Sequence, residues 1–147
     1  MIILFYDAAT PTVYTRATLN ERALGGTEAT VARVAEGLAP LHTIYLAQHN
    51  RSKKEECEEK NVRYISFDTA HQLTPDAVIL LRQTQLLEEI GKYYPTAKLF
   101  FWMHNLPSKK FFYLKKIKKF LLIGLKVTWN YFLIILKFSY YLNILFN

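Results

Sequence analysis

Short apolar runs separated by polar or helix-like stretches recur along residues 1–108, and this order limits the possible folds most strongly. Apolar runs of about four to eight residues between turn signals are typical of strands buried on both faces. Five strands are predicted, at Ile2–Tyr6, His42–Leu46, Arg63–Phe67, Asp76–Leu81 and Lys98–Trp102. Because helical patterns lie between some of them, the chain is predicted to be α/β, with an open parallel sheet and flanking helices.

Two stretches have the periodicity of helices that bury one face. The first is predicted over Thr27–Ala39, with Pro40 just past its end, and the second over Gln83–Tyr94. The charged stretch 52–60 is predicted to be a short solvated helix or a loop. These elements supply the connections that parallel strands need.

Ligands of open parallel sheets bind beyond the carboxyl ends of the strands, an edge called the carboxyl rim below. Three pieces are expected at this rim: the connection 7–28, the turn near Arg82, and the pair His104–Asn105. The polar connection 7–24 is long for a compact domain, and such loops are often functional. The sequence therefore predicts a ligand site at the carboxyl rim.

The basic charge of the chain is concentrated in its last part. Residues 1–89 hold all 12 acidic residues and 9 of the 19 Lys and Arg, whereas residues 90–147 hold ten Lys and no acid. The net charge of +7 therefore does not describe the main domain, and no nucleic-acid partner is expected.

Residues 109–147 also differ in composition, since 34 of these 39 positions are Lys, Phe, Leu, Ile, Tyr or Asn. We expect the main domain to end near residue 108, or near 120, before a helical or disordered tail. Such a tail can contact an anionic membrane surface peripherally, but a transmembrane helix is disfavoured because no uncharged run exceeds about 10 residues. A further interpretation is a shifted reading frame, because these six residue types have A/T-rich codons.

The sharpest motif is Leu24-Gly25-Gly26-Thr27-Glu28 at the start of the first predicted helix. Adjacent glycines allow a tight turn and close approach of a ligand to the backbone. Thr27 is predicted to be the helix N-cap, and Glu28 to lie in the first turn. A helix start of this kind suits a phosphate or diphosphate oxygen, although a plain glycine turn with a cap has the same sequence.

Three further residues are candidates at the carboxyl rim. His104 follows an apolar strand and can hydrogen-bond a sugar hydroxyl or a developing charge, or can be satisfied by the backbone. Asn105 can contact a ligand or cap the next helix. Arg82 can bind a phosphate, but pairing with Glu88 or Glu89 at the surface is the favoured interpretation.

The remaining polar residues give weaker signals. Asp7, Glu21 and Arg22 lie in or beside the long connection and can contact an acceptor, but as single charges they are expected to be solvated. The lone Cys57 is interpreted as an incidental reduced thiol of a cytoplasmic protein. Since no cluster of His, Cys, Asp and Glu has metal-ligand spacing, neither a metal nor another cofactor is expected.

The ordered pattern of residues 1–108 resembles the N-terminal domain of GT-B-fold retaining glycosyltransferases, which has a Rossmann-like sheet. The first strand, the long loop, Gly25-Gly26-Thr27-Glu28 and the helix end Ala35–Ala39 carry this resemblance. Pro75–Ile79 and Lys98–Asn105 resemble two later strands of the family, the second with its terminal histidine.

The resemblance implies transfer of a sugar from a nucleotide-sugar donor to a glycan or other acceptor, usually without an essential metal. It implies that this domain binds mainly the acceptor, that Gly25 and Gly26 lie near the donor diphosphate or an acceptor group, and that His104 lies near the reacting sugar. The family's donor-binding domain has a Glu-x7-Glu element, which cannot occur here because no acid follows Glu89. We therefore expect the acceptor-binding half of such an enzyme, truncated and without turnover on its own.

Two other hypotheses compete with this one. The chain can be a membrane-associated binding subunit at the inner face of the membrane, in which 109–147 docks on lipid or a partner supplies the donor half. It can also be another doubly wound domain that binds a phosphate or nucleotide at its glycine turn, because this fold class supports many chemistries.

Overall fold

A seven-stranded sheet forms the centre of the protein in the computed structural model, which describes residues 1–103 and 121–124. The strands are β1 Ile2–Asp7, β2 Thr43–Gln48, β3 Cys57–Glu59, β4 Val62–Ile65, β5 Ala77–Leu81, β6 Lys98–Met103 and β7 Leu121–Gly124. Their order across the sheet is β3-β4-β2-β1-β5-β6-β7. Among the pairings of the described strands only β3–β4 is antiparallel, so the predicted α/β class is confirmed and the sheet is mostly rather than wholly parallel.

The central strand β1 shows why the apolar runs fold as buried strands. Successive side chains of a strand point to opposite faces, so Ile3 and Phe5 enter one core while Leu4 and Tyr6 enter the other. Ile3, Leu4 and Phe5 are fully buried. Burial of such a side chain stabilises the fold by about 1.5–3 kcal/mol, which favours an uninterrupted apolar sequence in this strand.

Within the described residues, the elements between the strands are four α-helices, α1 Thr18–Glu21, α2 Gly26–Leu38, α3 Phe67–Ala70 and α4 Leu87–Tyr93, and two 3-10 turns at Lys53–Glu55 and Thr84–Leu86. Helix α2 packs on the face of Ile3 and Phe5 through an apolar stripe. Leu87 and Ile90 of α4 pack on the opposite face. The sheet is therefore covered on both sides, as the prediction of a buried parallel sheet requires.

Several predicted elements differ from the structure, including the stretch 52–60, which was predicted to be a helix or a loop but contains strand β3. The third predicted strand ends at Ile65 rather than Phe67, because the hydroxyl of Ser66 accepts a hydrogen bond from the Thr69 N–H and caps α3. The tail was predicted to be helical or disordered, but Leu121–Gly124 forms a strand parallel to β6. The remaining tail predictions, for 109–120 and 125–147, lie outside the described residues.

The order of the strands reverses between β1 and β5. From β1 the chain adds β2 and then β4 on one side, and it returns to place β5 on the other side of β1. Neighbouring loops leave in opposite directions at such a point, which opens a crevice at the carboxyl ends of the two strands. The last residue of β1 is Asp7, and Arg82 directly follows β5.

Candidate functional site

The carboxyl ends of β1 and β5 carry a network of charged and polar side chains formed by Asp7, Tyr14, Glu28 and Arg82, called the rim network below. These residues come from the end of β1, the loop after it, the first turn of α2 and the turn after β5. The predicted meeting of the connection 7–28 with the turn near Arg82 is therefore confirmed. The network lies at the strand-order reversal, where ligands of such sheets bind.

Asp7 is fully buried, although its position in the long connection suggested a solvated charge. Its Oδ2 accepts a hydrogen bond of 2.9 Å from the Tyr14 hydroxyl, and its Oδ1 accepts one of 3.2 Å from the Ala9 N–H. Nη2 of Arg82 lies 3.2 Å from the same Oδ1. The interpretation of Asp7 as solvated is thus wrong, because a buried carboxylate needs such donors and an opposite charge.

Arg82 connects the two carboxylates of the network. Its Nη2 contacts Asp7, and its Nη1 lies 3.0 Å from Oε1 of Glu28. Burial lowers the pKa of Arg82, but the carboxylates of Asp7 and Glu28 raise it, and the net shift is upward, so the guanidinium stays charged. The favoured interpretation, a surface arginine paired with Glu88 or Glu89, is wrong.

The backbone at Arg82 is strained. Its φ is 61°, in the left-handed region that non-glycine residues rarely adopt. The Gln83 N–H donates to the Leu81 carbonyl across this residue at 2.7 Å, and the Arg82 N–H donates to the Trp102 carbonyl at 3.1 Å. Conformations of this kind cost about 1–3 kcal/mol and cluster at functional sites. The turn directs the Arg82 side chain back over the end of β1.

Tyr14 connects the rim network to a second arginine. Its carbonyl accepts hydrogen bonds from Nε2 of Gln48 at 2.8 Å and from Nη2 of Arg51 at 3.1 Å. Nε of Arg51 also donates to Oε1 of Gln48 at 3.0 Å. Burial raises the pKa of Tyr14 well above its ordinary value, and Asp7 raises it further, so the phenol remains a hydrogen-bond donor. The loop after β1 is therefore held in one place at the rim.

The helix start beside the network differs from the predicted glycine turn. Helix α2 begins at Gly26 and its N-cap is Gly25, so the prediction of Thr27 as N-cap is wrong. Gly25 has φ −58° and ψ 150°, which any residue can adopt, so no tight glycine turn is needed. Both glycines are exposed, and a Cβ at Gly26 would meet no atom within 4 Å. The helix start is thus open to solvent at Gly26.

Glu28 lies in the first turn of α2, as predicted, but it is nearly buried. Its carboxylate folds back over Gly25 while Oε1 contacts Arg82. An acid here interacts favourably with the positive end of the helix dipole. Both the dipole and the Arg82 guanidinium are therefore balanced by side chains of the protein itself.

The other predicted residues contribute less or lie elsewhere. Nη2 of Arg22 donates to the Thr12 hydroxyl at 3.1 Å and to the Val13 carbonyl at 2.9 Å, so it supports the loop. Glu21 is exposed. His104 and Asn105 lie outside the described residues. Tyr14 was missed because an aromatic residue in a polar loop gives no sequence signal for a site.

The network has two carboxylates and one guanidinium, so its formal charge is −1. Carboxylate oxygens accept hydrogen bonds from hydroxyl or ammonium groups, and each has more than one lone pair to offer. An added phosphate would meet a guanidinium whose terminal nitrogens already contact carboxylates. The arrangement suits a ligand rich in hydrogen-bond donors better than it suits an anion.

Comparison with protein-family models, curated proteins and solved structures gave no match to this chain. Within residues 1–103 and 121–124, no three His, Cys, Asp or Glu side chains come together as a metal site. None of the helices in this part of the chain is long and apolar enough to cross a membrane.

Proposed function

We propose that the chain is the acceptor-binding half of a glycosyltransferase that transfers a sugar from a nucleotide-sugar donor to a hydroxyl-bearing acceptor. The observation that carries the proposal is the buried pair of carboxylates, Asp7 and Glu28, held by Arg82 at the strand-order reversal. The exposed helix start at Gly26 lies beside it, and a Cβ there would meet no atom within 4 Å.

The strand order supports the Rossmann-like part of this proposal. Numbered along the chain, the six mutually parallel strands β4, β2, β1, β5, β6 and β7 lie in the order 3-2-1-4-5-6. This is the classic order of doubly wound nucleotide-binding folds. Each half of a GT-B enzyme has such a fold, so the order agrees with the resemblance, although the sixth strand, β7, lies beyond residues 1–108 and many chemistries use this fold.

The charge of the rim network supports the acceptor side of the reaction. A sugar hydroxyl donates a hydrogen bond, and the carboxylate of Glu28, in the first turn of α2, can accept it. The diphosphate of a nucleotide sugar is repelled by the same carboxylates. In this proposal the donor diphosphate is therefore bound by groups other than the rim network, and His104 keeps the role near the reacting sugar that the resemblance implies.

Ligand titration followed by NMR tests the proposal. The 15N-labelled 147-residue chain is titrated with neutral oligosaccharides, amino sugars and nucleotide sugars, and the amide signals of Gly26 and Arg82 are followed. We expect a saccharide to shift these signals saturably. Gly26→Val should abolish the shift without unfolding the protein, because its side chain enters open space.

Gly91→Ala is the matched control, because its Cβ would lie 3.6 Å from Cδ2 of Leu99, an ordinary van der Waals contact between α4 and β6. This variant should bind saccharide as the wild type does. The proposal would be contradicted if a nucleotide or a flavin bound tightly and shifted the Gly26 and Arg82 signals while no saccharide shifted them. It would favour the competing hypothesis of another doubly wound nucleotide-binding domain.

A further inference from the structure

We infer that Gly25 is a specificity-determining position, whose missing side chain lets Glu28 neutralise Arg82 and so makes the proposed acceptor site reject anions. This inference rests on the proposed function, since it concerns the ligands of the same site. Gly25 itself is a positioning residue, because it acts through Glu28 and Arg82.

The backbone gives no reason for a glycine at this position. Its φ of −58° and ψ of 150° are open to every residue type, and none of the glycines in the described residues has a positive φ. At a helix N-cap, Ser, Asp or Asn would stabilise the helix slightly more than glycine does. The glycine therefore needs an explanation from its surroundings.

The explanation is steric, because the Glu28 carboxylate occupies the place of a side chain at Gly25. An added Cβ at Gly25 would collide with Oε2 of Glu28 and lie 3.2 Å from its Cδ. The only atoms it would meet within this distance belong to the carboxylate that contacts Arg82 through Oε1 at 3.0 Å. Because the end of a glutamate side chain can rotate away, a Cβ here displaces the carboxylate rather than the fold.

The displaced carboxylate would change the charge that a ligand meets. With Glu28 in place, the terminal nitrogens of Arg82 contact two carboxylates, and the positive end of α2 is balanced as well. Without it, Nη1 of Arg82 and the N–H groups at the exposed start of α2 lose the negative charge that balances them. Together these groups form an anion site.

Inorganic phosphate is the probe for this switch. The wild-type chain, Gly25→Ala and Glu28→Gln are titrated with phosphate at constant ionic strength, and the signals of the Gly26 amide and the Arg82 Nε–H are followed. We expect phosphate to bind both variants at least about tenfold more tightly than the wild type. In the wild type, phosphate has to replace the charge-assisted contact between Arg82 and Glu28, whereas in the variants this contact is already absent. The double variant should gain nothing beyond Glu28→Gln, because both changes act through the same carboxylate.

Glu36→Gln is the matched control. Glu36 lies on the same helix and pairs with Arg16 at 2.6 Å, so the variant also removes a carboxylate and releases an arginine. It should leave the Gly26 and Arg82 signals insensitive to phosphate. If the wild type binds phosphate as tightly as Glu28→Gln does, the inference is wrong.

Glu28→Gln does not depend on the steric argument, so it still tests the charge switch if Gly25→Ala does not fold. The outcome is also separate from that of the proposed function. A phosphate switch in a protein that binds no saccharide would uphold this inference and reject the acceptor role, whereas saccharide binding without a switch would do the reverse.

Discussion

Two arginines lie at the carboxyl rim, and their partners differ in kind. Arg51, three residues after β2, is 6% exposed and donates to the Tyr14 and Glu55 carbonyls and to Gln48. Its guanidinium lies 5.7 Å from the centre of the Tyr64 ring. Arg82 contacts two carboxylates, and its side chain is 28% exposed. Among the described residues Arg51 has only uncharged hydrogen-bond partners and holds the loop in place, so its role is structural. Arg82 has ionised partners and is partly exposed, so it belongs to a candidate site.

The largest expected effect is the loss of stability in Arg51→Met. The change keeps an apolar stem but removes the donors of three hydrogen bonds to oxygen, each of which contributes about 0.5–1.5 kcal/mol. We expect the free energy of unfolding to fall by about 3 kcal/mol in urea denaturation followed by circular dichroism.

Arg63→Met is the control for Arg51→Met. Arg63 also lies over a tyrosine ring, that of Tyr45 at 5.5 Å, but its side chain is 51% exposed and its partner Glu58 is exposed too. Its loss should cost less than about 1 kcal/mol. Equal losses in the free energy of unfolding would show that Arg51 does not hold the loop in place.

The second prediction concerns coupling between Arg82 and Asp7. Arg82→Met leaves the buried Asp7 carboxylate without its opposite charge, which is costly, and Asp7→Asn removes that carboxylate. We expect Arg82→Met to cost about 2 kcal/mol less in the Asp7→Asn background than in the wild type. Arg51→Met should cost the same in both backgrounds, since Arg51 does not contact Asp7. A double-mutant cycle in urea measures both values.

The sequence predicted the parallel sheet well and the site only in part. Long apolar runs such as Asp76–Leu81 identify strands because burial on both faces is a property of the run itself. The burial of Asp7 depends on donors from residues 14 and 82, which only the fold brings together. The positive φ of Arg82 could not be predicted, because arginine has no preference for this conformation. Thr27 is not the N-cap because α2 begins one residue earlier than predicted.

Tyr14 contacts Arg51 directly and is connected to Arg82 through Asp7, so Tyr14→Phe tests whether the two networks are independent. It removes the hydrogen bond to Asp7 but keeps the carbonyl that Arg51 contacts. Because the acceptor is charged, we expect a loss of about 1.5 kcal/mol near neutral pH. The same variant in the Arg51→Met background should lose a similar amount if the two networks are independent.

The effect of Tyr14→Phe should shrink at alkaline pH. The pKa of Tyr14 is raised in the folded protein, mainly by burial, so only the unfolded chain releases this proton as the pH rises past about 10. Wild-type stability therefore falls above that pH, and Tyr14→Phe removes this part of the decline. The decline should not vanish, because burial also raises the pKa of Tyr6, Tyr64 and Tyr94. An unchanged pH slope would show that Tyr14 ionises freely in the folded state.

The smallest expected effect is the difference in stability between the glycine and alanine variants of each arginine. This difference should have opposite signs at positions 82 and 51. Arg82 has a positive φ, which glycine adopts without strain, so Arg82→Gly should be more stable than Arg82→Ala by about 1 kcal/mol. Arg51 is not among the positive-φ residues of the described chain, so there Arg51→Ala should be the more stable variant. Because both members of each pair lack the guanidinium, its contacts cancel in the comparison. Urea denaturation of the four variants measures the backbone alone, and the same sign at both positions would show that the turn at Arg82 relaxes once its side chain is gone.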